Sequence, residues 1–222
     1  MPTTGCAIEW KKVVGVTAVF AAFTILGLLT IDIPLAEFIS KNVGMNFLLS
    51  QAVANIPDTL LALVCATTLG SWAGRFYLPR KKAAFRTLDF LEFTGCAVPL
   101  AFIVKQVLKD IFGRTSTRLW LIQPTDVSFH WFQGGGDFSA FPSGHMAVFT
   151  ALLLAISRFF PPLRPLCLGA LAVLAAALLL TQYHFFSDLA FGVFIGLASN
   201  WVAGLGLSAW HNRRDRRTGE PQ

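Results

Sequence analysis

His145 and His184 are the side chains of this chain best placed to do chemistry, and each stands just before an apolar helical run. The first belongs to the stretch Phe141-Pro142-Ser143-Gly144-His145. A polar loop precedes it, and the run Met146 to Phe160 follows, broken only by Thr150, Ser157 and Arg158. Pro142 suits the first helical position, where its fixed φ matches the helix. Ser143 and Gly144 then present unpaired backbone N–H groups at a helix start, where free donors and the positive dipole end make an anion site. His145 sets a titratable imidazole beside that anion. Asp188 follows His184 by four residues and so shares its helical face. Two histidines, an anion cradle and apolar helices point to phosphate chemistry at a bilayer surface.

The elements around these residues belong in lipid. Of the 222 residues, 55% are apolar and only 14% charged, with mean hydropathy +0.60. A soluble chain carries about 25% charged residues. The expected fold is an all-α integral membrane protein, a six-transmembrane helix bundle over 13–33, 56–74, 88–108, 143–161, 163–181 and 185–209. The first run carries a single acid, Asp32, near its end. It is longer than a cleaved signal core and lacks a small-residue cleavage site after it, so it reads as a retained span. The second span is the weakest, with a start that reaches back as far as Phe47. The turn Pro161-Pro162-Leu163-Arg164-Pro165 makes a hairpin of the fourth and fifth, since paired prolines stop a helix. The chain is then one domain over 1–212, with a basic, polar, disordered tail over 213–222.

Basic residues orient the bundle. The face with both termini receives Lys11, Lys12, Arg75, Arg80, Lys81, Lys82, Arg86, Arg158, Arg164, Arg213, Arg214, Arg216 and Arg217. The other receives Lys41, Lys105, Lys109, Arg114 and Arg118. Both termini are therefore expected in the cytoplasm. Four of the outer cations cluster between Lys105 and Arg118, against the insertion rule, as holding an anion would explain. Snorkelling accounts for Lys105 or Lys109 alone. The net charge of +6 is mostly a cytoplasmic collar for anionic headgroups and does not indicate nucleic acid. The cysteines (Cys6, Cys65, Cys96 and Cys167) show neither metal spacing nor a disulfide framework.

The polar loop 110–141 and the turn 181–184 fall on the outer face, so charge counting alone unites both histidines with the basic cluster. His130 reads as a loop residue. Asp126 and Asp137 read likewise, though either could orient Lys109 or an arginine. Gly134-Gly135-Gly136 precedes no helix directly and reads as a hinge. Asp89 and Glu92 are expected to pair with Arg86 on the cytoplasmic face, where His211 sits among arginines.

Three stretches follow in order: Leu108-Lys109-Asp110-Ile111-Phe112-Gly113-Arg114, Pro142-Ser143-Gly144-His145, and His184-Phe185-Phe186-Ser187-Asp188-Leu189-Ala190-Phe191-Gly192. Together they resemble the three-part signature of the type 2 phosphatidic acid phosphatase superfamily, which is related to the haloperoxidase/acid phosphatase fold. The resemblance covers roughly Lys105 to Gly196 and the six-span layout. It implies that His184 is the nucleophile, that Asp188 holds its tautomer and stabilises its positive form, and that His145 protonates the leaving oxygen and then activates water. It implies that Lys109, Arg114, Ser143 and Gly144 hold the phosphoryl oxygens, with Arg118 as the alternative arginine. Cofactors and metals are not implied.

Two positions depart from the signature. Ser116 stands where the first motif closes with arginine, and Leu178 stands where the third carries one. At the first, either Arg114, five residues after Lys109, or Arg118, nine after, can fill the duty; at the second, the missing guanidinium removes a bidentate clamp, worth about 2–4 kcal/mol by analogy with oxyanion donors. The implied protein is a metal-independent phosphatase, multi-pass in a bacterial inner membrane, with its site facing the periplasm or exterior. Undecaprenyl pyrophosphate, phosphatidylglycerol phosphate, phosphatidic acid and lipid A are the candidate substrates. A lipid phosphotransferase needs the same histidine, and a weakened or inactive relative that binds anionic lipid is the reading the departures favour. The paired broken helices of a small transporter are missing. Nothing in the chain speaks to oligomeric state.

Overall fold

The computed structural model describes residues 10–43, 56–78, 85–123 and 127–218, and their regular structure is helical, with no strand among them. The expected early start of the second span near Phe47 lies outside the described residues, as do Cys6, Arg80, Lys81, Lys82, Asp126 and the last four residues of the tail.

Helix α1 (Trp10–Leu26) runs through a π turn (Gly27–Ile31) into α2 (Asp32–Val43). Pro34 explains the widening, because it has no N–H for Thr30 and its ring crowds the carbonyl four residues back. The turn closes with the Asp32 amide on the Gly27 carbonyl, and Asp32 is buried. Helices α3 (Ile56–Tyr77), α4 (Phe85–Phe112) and the short α5 (Thr117–Ile122) follow. After a long loop come α6 (Gly144–Phe159), α7 (Arg164–Leu180) and α8 (Phe186–Thr218). A 3₁₀ turn, Pro161–Leu163, joins α6 to α7, as the prolines require.

Four helical stretches are long and apolar enough to cross a membrane: Val13–Val43, Phe85–Phe112, Pro161–Leu180 and Phe186–Arg214. Among the described residues these mark a membrane protein. The six-span count is not reached on that measure. Helix α6 has 16 residues, about 24 Å of rise, and α3 is diluted by Thr67, Thr68, Gly70, Ser71 and Gly74. The tail also differs from expectation, since α8 continues through Thr218. Arginine is a good helix former, and cations suit a helix C-terminus.

Helix α6 is central and packs against α4, α7 and α8, while α1 packs on α8 and α3 on α4. Small residues allow the close approach, as is usual between helices in lipid. Ala101, Ala147, Ala151 and Ile195 form one fully buried cluster between α4, α6 and α8. A Cβ on Gly192 would meet the Ser143 carbonyl oxygen at 2.7 Å, and one on Gly196 would meet Thr150 Cβ at 2.5 Å. Gly196→Val is therefore expected to lower stability by about 1–3 kcal/mol, read as a lower thermal midpoint in detergent. A midpoint equal to wild type would contradict this packing.

At the far end of the bundle Glu92 pairs with Arg75 (3.1 Å) and His211 (3.2 Å). Arg86 instead lies over the Phe160 ring, so the expected Arg86 pairing does not form. Glu92 lies 17 residues before Lys109 on α4, roughly 26 Å along the axis.

Candidate active site

The end of α4 carries the first group. Lys109 sits in its last turn and donates from Nζ to the Ser139 carbonyl at 2.6 Å. Gly113, at φ +50°, then reverses the chain. Arg114 bridges Phe129 on one side and Ser139 on the other, and the loop folds back over the helix end. Gly134 rests on the Lys109 carbonyl, where a Cβ would come within 2.1 Å. Gly134 thus permits a close approach that a hinge alone would not need, while Gly135 and Gly136 take positive φ with open space around them. His130 stacks near Phe138, with ring centroids 4.3 Å apart. Asp137 is exposed in a 3₁₀ turn.

The start of α6 differs in detail from the sequence reading. Pro142 follows a cis peptide and lies outside the helix, and Ser143 is the N-cap, accepting the Met146 amide. The Ser143 amide donates to the Asp188 carbonyl at 3.1 Å, so it is not an open donor. That bond ties the second motif directly to the third. Gly144 contributes the first helical amide, which no intrahelical carbonyl can accept, and Ser143 keeps its hydroxyl proton to donate. The Lys105 stem packs against Gly144, with Cδ 3.3 Å from where a Cβ would stand.

The turn between α7 and α8 carries the second imidazole. The Tyr183 ring lies 6.0 Å from the His145 ring and 5.0 Å from the His184 ring, centroid to centroid, so both histidines share one end of the bundle. Both are buried. His184 Nδ1 lies 3.5 Å from Asp188 Oδ2, which also accepts the Phe185 amide at 2.9 Å. Burial pushes the His184 pKa below the ordinary imidazole value. Asp188 and the Ala140 carbonyl oppose that shift, and Lys109 adds to it. Burial also raises the Tyr183 phenol, with Arg118 opposing.

Arg114 is the largest fully buried side chain among the described residues, at 1% exposure. Its Nη1 donates to Asp188 Oδ1 (2.6 Å) and Ser187 Oγ (2.7 Å), and its Nη2 to Asp32 Oδ2 (2.8 Å). Its guanidinium also lies 4.4 Å from the centre of the Phe185 ring. Burial disfavours the charged guanidinium, but Asp188 and Asp32 outweigh it and hold the pKa above the ordinary arginine value. Expected as a phosphate ligand, Arg114 instead stands behind Asp188 with its fork turned to carboxylates. Arg118 reaches the His184 turn from α5, donating to the Thr181 carbonyl at 3.3 Å.

The two departures have local reasons. Ser116 caps α5, accepting the Leu119 amide at 3.3 Å. Leu178 is buried with Met146 and Leu189 in an apolar cluster, where an unpaired arginine would be costly. Sequence reasoning missed the roles of Asp32 and Ser187. The available signal was a lone acid inside an apolar span, a functional suspect by default.

Helices of membrane length mark a membrane protein, and two histidines, a lysine and a helix start lie together at one end of it. The chain belongs to the PAP2 superfamily, whose family model matches residues 93–214. Members of that family are generally phosphatases acting on phosphate esters. No curated protein and no solved structure matches the chain.

Proposed function

We propose that this protein is a metal-independent phosphatase for a lipid phosphate or pyrophosphate, working through a phosphohistidine. The observation that carries the reading is the buried His184–Asp188 pair joined through the Ser143 amide to the start of α6. With Nδ1 turned to Asp188, the His184 Nε2 lone pair attacks phosphorus. The bond from phosphorus to the leaving oxygen breaks, and that oxygen takes a proton from His145. Water then attacks the phosphorus of the phosphohistidine and gives a proton to His145. The N–P bond breaks, phosphate leaves, and His184 is neutral again. Lys109, Arg118, the Ser143 hydroxyl and the Gly144 amide face the charge that develops on the phosphoryl oxygens. Arg114 holds Asp188 rather than substrate.

A lipid substrate fits the apolar helices of membrane length. The six-span layout, cytoplasmic termini, bacterial inner-membrane location and outward-facing site belong to this proposal: the span count rests on hydropathy, the orientation on the basic-residue count, and the location on the family resemblance. The absence of arginine at Leu178 favours a second reading, an anionic-lipid-binding relative without turnover. A phosphotransferase would pass the phosphoryl group to another lipid instead of water.

The test is phosphate release by purified protein from phosphatidic acid, phosphatidylglycerol phosphate, undecaprenyl pyrophosphate and lipid A, with chelator present. Release from any of them supports the proposal. Lipid binding without release would establish the second reading, and phosphate appearing on an added lipid acceptor would establish the transferase. A pH profile adds a sign. The attacking ring must be neutral, and burial keeps it neutral to lower pH. The acid limb of kcat/KM is therefore expected below the ordinary imidazole value of about 6.5, and a limb above it would contradict a buried nucleophile.

A further inference from the structure

Asp32 lies outside the matched region 93–214, on the first membrane-length helix, yet it is bonded into the site. Its Oδ1 accepts the Ser187 amide at 2.9 Å, and its Oδ2 accepts both the Ser187 hydroxyl and Arg114 Nη2. The approach is close: a Cβ on Gly27 would come within 2.9 Å of Ser187 Cβ. Three fully buried charges thus meet, Asp32 and Asp188 flanking Arg114.

Their sum decides what His184 feels. Arg114 with Asp188 alone makes a neutral pair, and a neutral pair does little for an imidazolium. With Asp32 present the trio carries one net negative charge, and Arg114 is shared between two acceptors. We infer that Asp32 is a positioning residue that offsets the Arg114 charge and so leaves Asp188 free to stabilise His184 as it becomes positive. The inference rests on the assignment of His184 as nucleophile. The other groups facing His184 are Lys109, the Ala140 carbonyl and Tyr183, with His145 beyond Tyr183. None of these changes in the variants below.

Charge balance predicts an unusual order of variants. Asp32→Asn leaves Arg114 to neutralise Asp188, and kcat is expected to fall on the order of 10–100-fold, as for other partners that orient a working histidine, with KM little changed. Arg114→Gln leaves two carboxylates facing each other without a cation. The double variant Asp32→Asn/Arg114→Gln again leaves one net negative charge, and is expected to exceed both singles in kcat. The His184 titration, followed by NMR of the detergent-solubilised protein, is expected to move to lower pH in Asp32→Asn and to return in the double variant. A purely structural role for Asp32 would instead make the double variant the worst of the three and leave the titration of folded Asp32→Asn in place. If Asp32→Asn does not fold, the double variant decides alone: folded and above Arg114→Gln it supports the inference, and any other result overturns it. A wild-type protein without turnover would sink the phosphatase reading, and the NMR titration would still decide the charge balance.

Discussion

Replacing His184 with alanine is expected to lower phosphate release by at least about four orders of magnitude, the scale on which covalent enzymes lose activity with their nucleophile. The side chain is buried, and its Nδ1 faces Asp188 at 3.5 Å, so no solvent-borne group can take its place. The same variant should trap no labelled phosphoenzyme after an acid quench, whereas wild type should. His145→Ala should behave differently. It removes the proton carrier but not the attacking nitrogen, so turnover should fall about 10²–10⁴-fold while labelled phosphoenzyme still forms from substrates with good leaving groups. Labelling of His184→Ala at the wild-type level would overturn the assignment of the nucleophile.

Arg114→Met is expected to be the most damaging change to the fold itself. It strands Asp32 and Asp188 in a site with almost no solvent, and breaking a buried ion pair in this way costs about 3–5 kcal/mol. For a chain of this size that is a drop of roughly 6–20 °C in the thermal midpoint, measured in detergent by intrinsic fluorescence. Arg114→Lys should recover little, because an ammonium cannot bridge two carboxylates and Ser187 in one plane. Stability equal to wild type in either variant would mean that the trio is not the linchpin of this end of the bundle.

How far the sequence carries can be judged from particular residues. The signals that depend on a few neighbours were legible: the helix that starts at Gly144, the hairpin prolines, and the one-turn spacing of His184 and Asp188. Ser143 was recognisable as a helix-start residue, but its amide is taken by the Asp188 carbonyl, a contact across 45 positions that no local rule contains. Arg114 was legible as a cation near the site and not as a buried one. Its direction is set by Asp32, which lies 82 residues earlier. The run Gly134-Gly135-Gly136 reads as a hinge because composition reports conformational freedom, and it gives no sign of what Gly134 rests upon. The Lys109 carbonyl beneath Gly134 appears only in three dimensions. Charge counting gathered the basic cluster with both histidines, since that argument needs only helix order.

The long reach of Asp32 bears on how the protein is made. Its partners Arg114 and Ser187 emerge from the ribosome 82 and 155 residues after it. The nascent first helix must therefore wait in lipid with a bare carboxyl group, which is expensive until it is protonated, hydrated at the headgroups or met by a partner. A chain truncated before α8 has Arg114 but lacks Ser187, whose amide and hydroxyl complete the set of donors around that acid in the finished chain.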